Sequence, residues 1–344
     1  MFWALMKKLG GQSWAALVVI AISVLMTFLA KAQESRPGIS CILEVSSREI
    51  LPFEPLYVMV SLVNESNREQ EVEIIPRAWV RLGIPGQDKI KWTKPFAGGL
   101  MEGPPPPPKR VRLTPNERLT LLRRIHADAP VPRRALIQKP GIVYVQGRVI
   151  GVNNKFESEP VKVEILEPQG VDAEAYEYLR TEGMNLPPST LPRSLRQSWA
   201  HSGMKEREMP TPGLYEFFAL ENWYGWDYGE EPIKELLKFA DRFAPSRYAR
   251  HARLGAGLLR FYARSEVRDV GKAVRLFQEV AREGDDLAAL AFYYLGQVAE
   301  QRGELAEAAQ YYERALSLKI DPYFRHLAEK ARARVESRLS ASKR

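Results

Sequence analysis

The chain has 344 residues, a length that indicates two domains rather than one. Hydrophobic residues make up 45% and charged residues 27% of it, so most of the chain can bury ordinary cores. The formal net charge of +8 is scattered, and no basic run alternates with aromatic residues, which argues against nucleic acid as a partner. The single cysteine, Cys41, excludes an intramolecular disulfide, so packing alone must stabilise the domains.

The first 32 residues have the pattern of a secretory signal. Lys7 and Lys8 precede an uncharged apolar stretch, and the tripeptide AKA that ends this segment places small residues at the two positions that a signal peptidase reads. We therefore expect a signal peptide over residues 1–32 and an exported protein, periplasmic or secreted. The alternative is an uncleaved membrane anchor over residues 14–30, because this run approaches the ~20 residues that a spanning helix requires.

Residues 39–168 alternate between apolar and polar side chains in short runs with turn residues between them, which predicts a β-sandwich. Further strands after ISCILEVSS (39–47) are predicted over residues 56–64, 71–84, 110–125 (two strands separated by a Thr-Pro-Asn turn), 141–152 and 159–168. Cys41 lies in the first of these runs, so we expect a buried strand residue that acts as a small hydrophobe.

Three local patterns resemble the immunoglobulin-like modules of exported bacterial proteins. They are ILPFEPL (50–56) before a strand that ends at Asn64, the turn LTPNE (113–117), and PGIVY (140–144) at the start of a later strand. The resemblance implies two packed antiparallel sheets, without the inter-sheet disulfide of antibody domains. The run Pro104 to Pro108 is predicted to be a stiff exposed loop, with a peptide ligand for an aromatic groove as the alternative.

After residue 168 the pattern changes to helices. DAEAYEYLRT (172–181) predicts a short helix with Asp172 as its N-cap, and the proline-rich stretch 183–212 predicts a linker, so residues 169–213 connect the two parts. From Ala289 onward, seven residues fall at positions 4, 7, 8, 11, 20, 24 and 27 of a 34-residue unit: Phe292, Leu295, Gly296, Ala299, Ala308, Tyr312 and Ala315. This unit resembles the tetratricopeptide repeat, in which small residues let two helices approach closely.

Two weaker units precede it. One begins near Tyr248 with Gly255 at position 8 and about six extra residues between its helices, and one begins near Leu214. Three units over residues 214–322 are followed by a predicted capping helix over residues 323–340. The predicted fold class is therefore α+β multidomain, with an N-terminal immunoglobulin-like β-sandwich followed by a C-terminal α-helical TPR-like solenoid.

The resemblance implies a concave groove lined by the first helix of each unit. The candidate residues for binding a partner at its groove positions are Tyr215, Phe218, Asn222, Ala252, Ala256, Tyr293, Gln297 and Glu300. A groove of this kind suits an extended peptide or a helix from a partner. The alternative is that residues 183–212, or the sandwich, fill the groove within the same chain, because an exposed apolar surface must be covered by something.

No catalytic residues, cofactor site or metal site are predicted. The four histidines are far apart in sequence, and no HExxH, phosphate loop or nucleophile elbow occurs. We therefore expect a non-enzymatic scaffold or adaptor whose partner is a protein or peptide of the cell envelope, with membrane contact only if the N-terminal segment stays uncleaved. The alternatives give the sandwich a protease-inhibitor-like or carbohydrate-binding role.

Overall fold

The computed structural model describes residues 38–87, 89–93, 106–125, 137–184, 186–205, 213–218, 227–263 and 266–341. The predicted signal peptide, the first part of the proline run and Asn222 lie outside these ranges. Pro106–Pro108, the part of the run that is described, has no regular secondary structure. Within the described ranges, no helix combines the length and the apolar character required to cross a membrane.

The N-terminal half is built of ten strands in the described residues. They are β1 (Ile39–Val45), β2 (Glu49–Ile50), β3 (Leu56–Asn64), β4 (Gln70–Ile84), β5 (Lys91–Trp92), β6 (Lys109–Leu113), β7 (Arg118–Ile125), β8 (Gly141–Gly151), β9 (Lys155–Glu157) and β10 (Val161–Ile165). The longer strands lie where alternation predicted them. In contrast, β2, β5 and β9 have only two or three residues, which is too short for an alternating pattern to be recognised in the sequence.

The strands form two sheets. A three-stranded sheet has the order β1-β3-β7, and a seven-stranded sheet has the order β2-β10-β8-β4-β5, with β6 paired to β4 and β9 paired to β8. All pairs are antiparallel except β2 with β10. The ladder between β4 and β8 is irregular between Ile74 and Ala78. Pro76 lies in this interval and has no N–H to donate to the ladder.

The two sheets pack face to face around an apolar core. Val58, Val60 and Leu62 of β3 are fully buried, as are Val145 and Val149 of β8 on the opposite sheet. Alternation of side chains along each strand places these residues on the inner faces. The N-terminal half is therefore a β-sandwich.

The C-terminal half is helical. Its α-helices are α1 (Val171–Arg180), α2 (Arg193–His201), α3 (Glu231–Arg242), α4 (Arg247–Tyr262), α5 (Val270–Val280), α6 (Asp286–Arg302), α7 (Leu305–Ser317) and α8 (Pro322–Ala341), and short 3-10 segments include Leu214–Phe218. The segment predicted as a linker therefore contains α2. The predicted capping helix corresponds to α8.

Asp172 does not cap its own helix. The N-cap residue of α1 is Gly170, which makes no side-chain capping hydrogen bond. Instead, the Asp172 carboxylate accepts a hydrogen bond of 2.8 Å from the backbone N–H of Arg247 at the start of α4. Asp172 thus satisfies an N–H group of a different helix, which local sequence could not indicate.

The register of the middle repeat differs from the prediction by two residues. A Cβ placed on Gly257 would lie 2.5 Å from the ring of Phe277, just as a Cβ on Gly296 would lie 2.6 Å from the ring of Tyr312. Gly257, not Gly255, is therefore the equivalent of Gly296 at position 8. The insertion between the two helices is then four residues rather than six, since 277 − 257 is 20 and 312 − 296 is 16.

The helix N-caps support the same register. Ser246 accepts a hydrogen bond from the N–H of Ala249 at the start of α4, and Asp285 accepts one from Ala288 at the start of α6. These two caps are separated by 39 residues, as are Gly257 and Gly296. In this register, the groove positions of the middle repeat belong to His251, Leu254, Leu258 and Phe261.

Candidate interaction site between the sandwich and the repeats

Most of the predicted groove residues are buried. Tyr215, Phe218, Ala252, Ala256 and Tyr293 are 0–6% exposed. Gln297 and Glu300 are half-buried. The five buried residues do not line an open groove in this structure, and in the corrected register Ala252 and Ala256 are not groove positions.

The β-sandwich supplies part of this cover. Phe53, in the segment between β2 and β3, stacks on the ring of Tyr215 with centroids 4.7 Å apart. Tyr57 of β3 contacts Phe324 of α8 in an edge-to-face arrangement, with ring centroids 4.6 Å apart. A groove filled by the sandwich was one of the alternatives that the sequence left open, and the contact of Phe53 with Tyr215 places the sandwich against one of the predicted groove residues.

The groove positions of the last repeat contact the C-terminal helix. Glu300 accepts hydrogen bonds from Arg334 at 2.7 and 2.8 Å and from the Tyr312 hydroxyl at 3.0 Å. The Tyr293 ring packs against the ring of Phe324, with centroids 5.8 Å apart. The hydrogen bond from Arg334, the largest cause, holds the pKa of Glu300 below its usual value, although burial opposes it. These residues therefore join α6 to α8.

A cleft of about 860 Å³ remains between the sandwich and the repeats. One wall is the segment from Ser46 to Tyr57, and the other is formed by the beginnings of α4, α6 and α8. His251 and Leu290, which hold equivalent positions in successive repeats, both line it. Its apolar lining residues are Ile50, Leu51, Pro55, Tyr57, Leu166, Leu287, Leu290, Ile320 and Pro322.

A buried ion cluster joins the two halves at the base of this cleft. Glu54 is 3% exposed, and its carboxylate accepts hydrogen bonds from the Leu51 N–H at 2.9 Å and from Arg247 Nε, with His251 Nε2 at 3.1 Å. Arg247 also donates to both oxygens of Asp286, at 2.9 and 2.7 Å. One guanidinium therefore bridges a carboxylate of the sandwich and a carboxylate of the repeats.

The Glu54 carboxyl is held in its ionised form. Burial alone would raise its pKa, but the hydrogen bond to His251 and the charge of Arg247 outweigh burial and lower the pKa to about 2. Asp285 behaves similarly, because hydrogen bonds from Arg250 and from the Ala288 N–H overcome its burial and lower its pKa to about 2. The cluster thus remains charged throughout the physiological pH range.

Sequence reasoning missed Glu54, Arg247 and His251 as a group. Glu54 is separated from Arg247 and His251 by almost two hundred positions. The sequence showed only that His251 lacks the spacing of a metal ligand. Asp285 is the N-cap residue of α6 and Asp286 is its first residue. Asp321 accepts a hydrogen bond of 2.9 Å from the Phe324 N–H at the start of α8, as Ser246 and Asp285 do at the starts of α4 and α6. The spacing of these three side chains is the signal that could have found the site, because it aligns the three helix beginnings.

The described residues contain little that resembles a reactive centre. Among them, no three His, Cys, Asp or Glu side chains form a group that could hold a metal ion. Cys41 is a half-buried residue of β1, and burial, with the nearby charge of Glu157 as a smaller cause, raises the pKa of its thiol to about 12. A thiol with such a pKa stays protonated at neutral pH and is a poor nucleophile.

Comparisons with known structures are distant. The sporulation control protein Spo0M from Bacillus subtilis is 11% identical, over 43% of this chain and 56% of that one, with a TM-score of 0.25. The CARDB domain of a Pyrococcus furiosus protein is 14% identical, over 38% of this chain and 90% of that one, with a TM-score of 0.20. A β-glucosidase from Erythrobacter marinus is 13% identical, over 37% of this chain and 15% of that one, with a TM-score of 0.23. The chain thus spans 15% of the β-glucosidase and 56% of Spo0M. Scores this low carry no argument about fold or function.

Sequence comparison is informative only for the helical half. No curated protein matches the chain. Residues 258–323 match a family model described as tetratricopeptide repeat. This match runs from within α4 to the beginning of α8 and includes the unit recognised from Ala289 onward. It confirms the repeat and the fold class: the chain has an N-terminal β-sheet domain followed by a helical region that contains a tetratricopeptide repeat.

Proposed function

We propose that this protein is an exported, non-enzymatic scaffold that binds a segment of a partner protein, and that the segment enters the cleft between the sandwich and the repeats. The observation that carries the proposal is the open volume of about 860 Å³ in front of His251 and Leu290. Elsewhere the chain buries the groove positions of the middle repeat, since Leu254, Leu258 and Phe261 are at most 4% exposed.

The repeat supports a protein partner in general. Arrays of this kind use their inner surface to hold extended peptides or helices. Here the accessible part of that surface is where three helices begin, and the sandwich provides an opposing wall. Leu287, Leu290 and Ile320 offer an apolar floor on which a partner's side chain could be desolvated.

The exported location rests on the signal pattern of residues 1–32. Cell fractionation followed by N-terminal sequencing of the mature protein tests it. We expect a periplasmic or secreted protein that begins at residue 33. A chain that retains residues 14–30 in the membrane fraction would instead support the anchored form.

The binding function is testable with a displayed random-peptide library. Lys319 is exposed, lines the cleft and forms no ion pair with the described residues, so Lys319→Trp should obstruct the cleft without disturbing the core. Lys238, exposed on α3 and outside the cleft, provides the matched control Lys238→Trp. We expect enriched peptides to bind the unaltered chain and the control but not Lys319→Trp. Equal binding to all three proteins would place the site elsewhere.

The carbohydrate-binding alternative has less support. Sugar-binding platforms need an accessible aromatic face. The Trp92 ring of β5 covers Gly83, where an added Cβ would lie 2.8 Å from the ring, and the Arg81 guanidinium lies 4.5 Å from the ring centroid. The ring is thus already in contact with this chain.

A further inference from the structure

The charges around the cleft do not balance. Five acidic residues line it against two basic ones, a sum of −3 without counting His251: Glu49, Glu54, Asp285, Asp286 and Asp321 against Arg247 and Lys319. Asp172, Glu283 and Arg250 contact this set and bring the sum to −4. The chain as a whole carries +8, so the acidic excess is local.

Helix dipoles reduce this excess but do not cancel it. The beginnings of α4, α6 and α8 face the cleft, and each N-terminus is equivalent to roughly +0.5 charge. Three of them supply about +1.5 against −4, which offsets less than half of the acidic excess. A negative potential therefore remains in the cleft, where low-dielectric walls strengthen its effect on a charged ligand.

His251 is a further polar residue of the cleft lining. Its side chain is 4% exposed and lines the cleft, and its Nδ1 has no hydrogen-bond partner among the described residues. The ionised Glu54 carboxylate can only accept, so His251 Nε2 carries the proton in the contact between them. The described residues leave the hydrogen-bonding capacity of Nδ1 unused, and an unused buried polar atom is costly.

We infer that the cleft selects peptide segments in which a Lys or Arg side chain lies beside an aliphatic one. The cationic group matches the negative potential and offers donors, and the aliphatic side chain matches the floor formed by Leu287, Leu290 and Ile320. This inference rests on the proposed function, because it specifies the chemistry of the segment that the same cleft binds.

Labelled synthetic peptides of equal length test this selectivity with the full chain. The probes alternate Leu with Lys, with Gln or with Glu, and binding is measured by fluorescence anisotropy at several NaCl concentrations. We expect the Lys peptide to bind at least about tenfold more tightly than the Gln peptide at low salt, and to lose this advantage at high salt because exposed charges are screened. The Glu peptide should not bind.

Two exposed residues at the rim give opposite variants. Glu49 and Lys319 form no ion pair with the described residues, so changing them disturbs no existing contact between charged side chains. Glu49→Lys should weaken binding of the Lys peptide by about three- to tenfold and Lys319→Glu should strengthen it by a similar factor. The matched controls Glu159→Lys and Lys238→Glu change the same charges on exposed residues outside the cleft and should have little effect.

The outcomes separate the two proposals. If the Gln peptide binds as tightly as the Lys peptide, and Lys319→Trp abolishes both, the cleft binds peptides but the charge selectivity is wrong. If the Glu peptide binds best, the selectivity is reversed and the inference is overturned. If neither the library nor any synthetic peptide binds, the proposed function itself is contradicted, and the inference with it.

Discussion

Phe53 of the sandwich stacks on Tyr215 of the helical half, with ring centroids 4.7 Å apart and an interplanar angle of 22°. Phe53 is 1% exposed and has a φ of 66°, a backbone conformation that is uncommon for a bulky residue. Its N–H donates to the carbonyl of Ile137 at 3.0 Å. The aromatic contact and this hydrogen bond hold the segment before β3 in place, and that segment forms one wall of the cleft.

Phe53→Ala should lower the free energy of unfolding by about 3–5 kcal/mol, because a fully buried ring is replaced by a cavity at the junction of the two halves. Urea denaturation monitored by circular dichroism measures the change. Val152→Ala is the control, since Val152 is 52% exposed and its truncation should change stability little. A loss below 1 kcal/mol for Phe53→Ala would contradict a tightly packed junction.

Glu54 should make stability depend on pH. Its pKa is about 2 in the folded chain and 4.5 is its ordinary value, so its contribution is fully present above pH 4.5 and is lost as the pH falls toward 2. A pKa shift of this size contributes roughly 3 kcal/mol to the free energy of unfolding at neutral pH. Glu54→Gln should therefore be less stable than the unaltered chain at pH 7 and nearly equal to it at pH 2.

Unfolding free energies of Glu54→Gln and of the unaltered chain, measured between pH 2 and 7, test this expectation. Asp285 also has a lowered pKa of about 2, so part of the acid sensitivity should persist in the variant. Glu159→Gln, at an exposed position, is the control and should follow the unaltered chain. Parallel pH profiles for Glu54→Gln and the unaltered chain would show that the ion cluster adds no net stability.

Gly257→Ala and Gly296→Ala should each destabilise the chain by about 1–3 kcal/mol, because the added methyl group would overlap the ring of Phe277 or Tyr312. Helix propensity alone predicts the opposite sign, since alanine is favoured over glycine by about 1 kcal/mol within a helix. Gly271→Ala in α5 is the control, because its Cβ would meet nothing closer than 3.5 Å. Stabilisation by Gly257→Ala would disprove the corrected repeat register.

Glu300→Ala should loosen the C-terminal helix. Glu300 accepts hydrogen bonds from Arg334 and Tyr312, and the side chain of Arg334 is 55% exposed, so solvent screening limits the expected loss to about 1–2 kcal/mol. Hydrogen exchange monitored by mass spectrometry should show that Glu300→Ala increases the exchange rate of α8, relative to the unaltered chain, more than that of α4. Uniformly unchanged protection would mean that the packing of Phe324 against Tyr57 and Tyr293 holds α8 without the hydrogen bonds of Glu300.

The sequence determined the local structure of both halves. Alternation located strands such as β4 and β10 because one face of each is buried, and the small and large residues around Gly296 identified a tetratricopeptide repeat because close helix packing requires them. The register of the middle repeat was not determined, since Gly255 and Gly257 both satisfy the pattern and the inserted residues remove the constraint on length.

Only the tertiary structure decided which surface stays accessible. Tyr215 packs against Phe53 and Tyr293 packs against the C-terminal helix, and the open site is a cleft where Glu54 meets Arg247 and His251. A surface of this kind depends on residues almost two hundred positions apart. Periodicity reports which face of a helix is apolar, but the burial of that face by another part of the chain is decided by packing between the two domains.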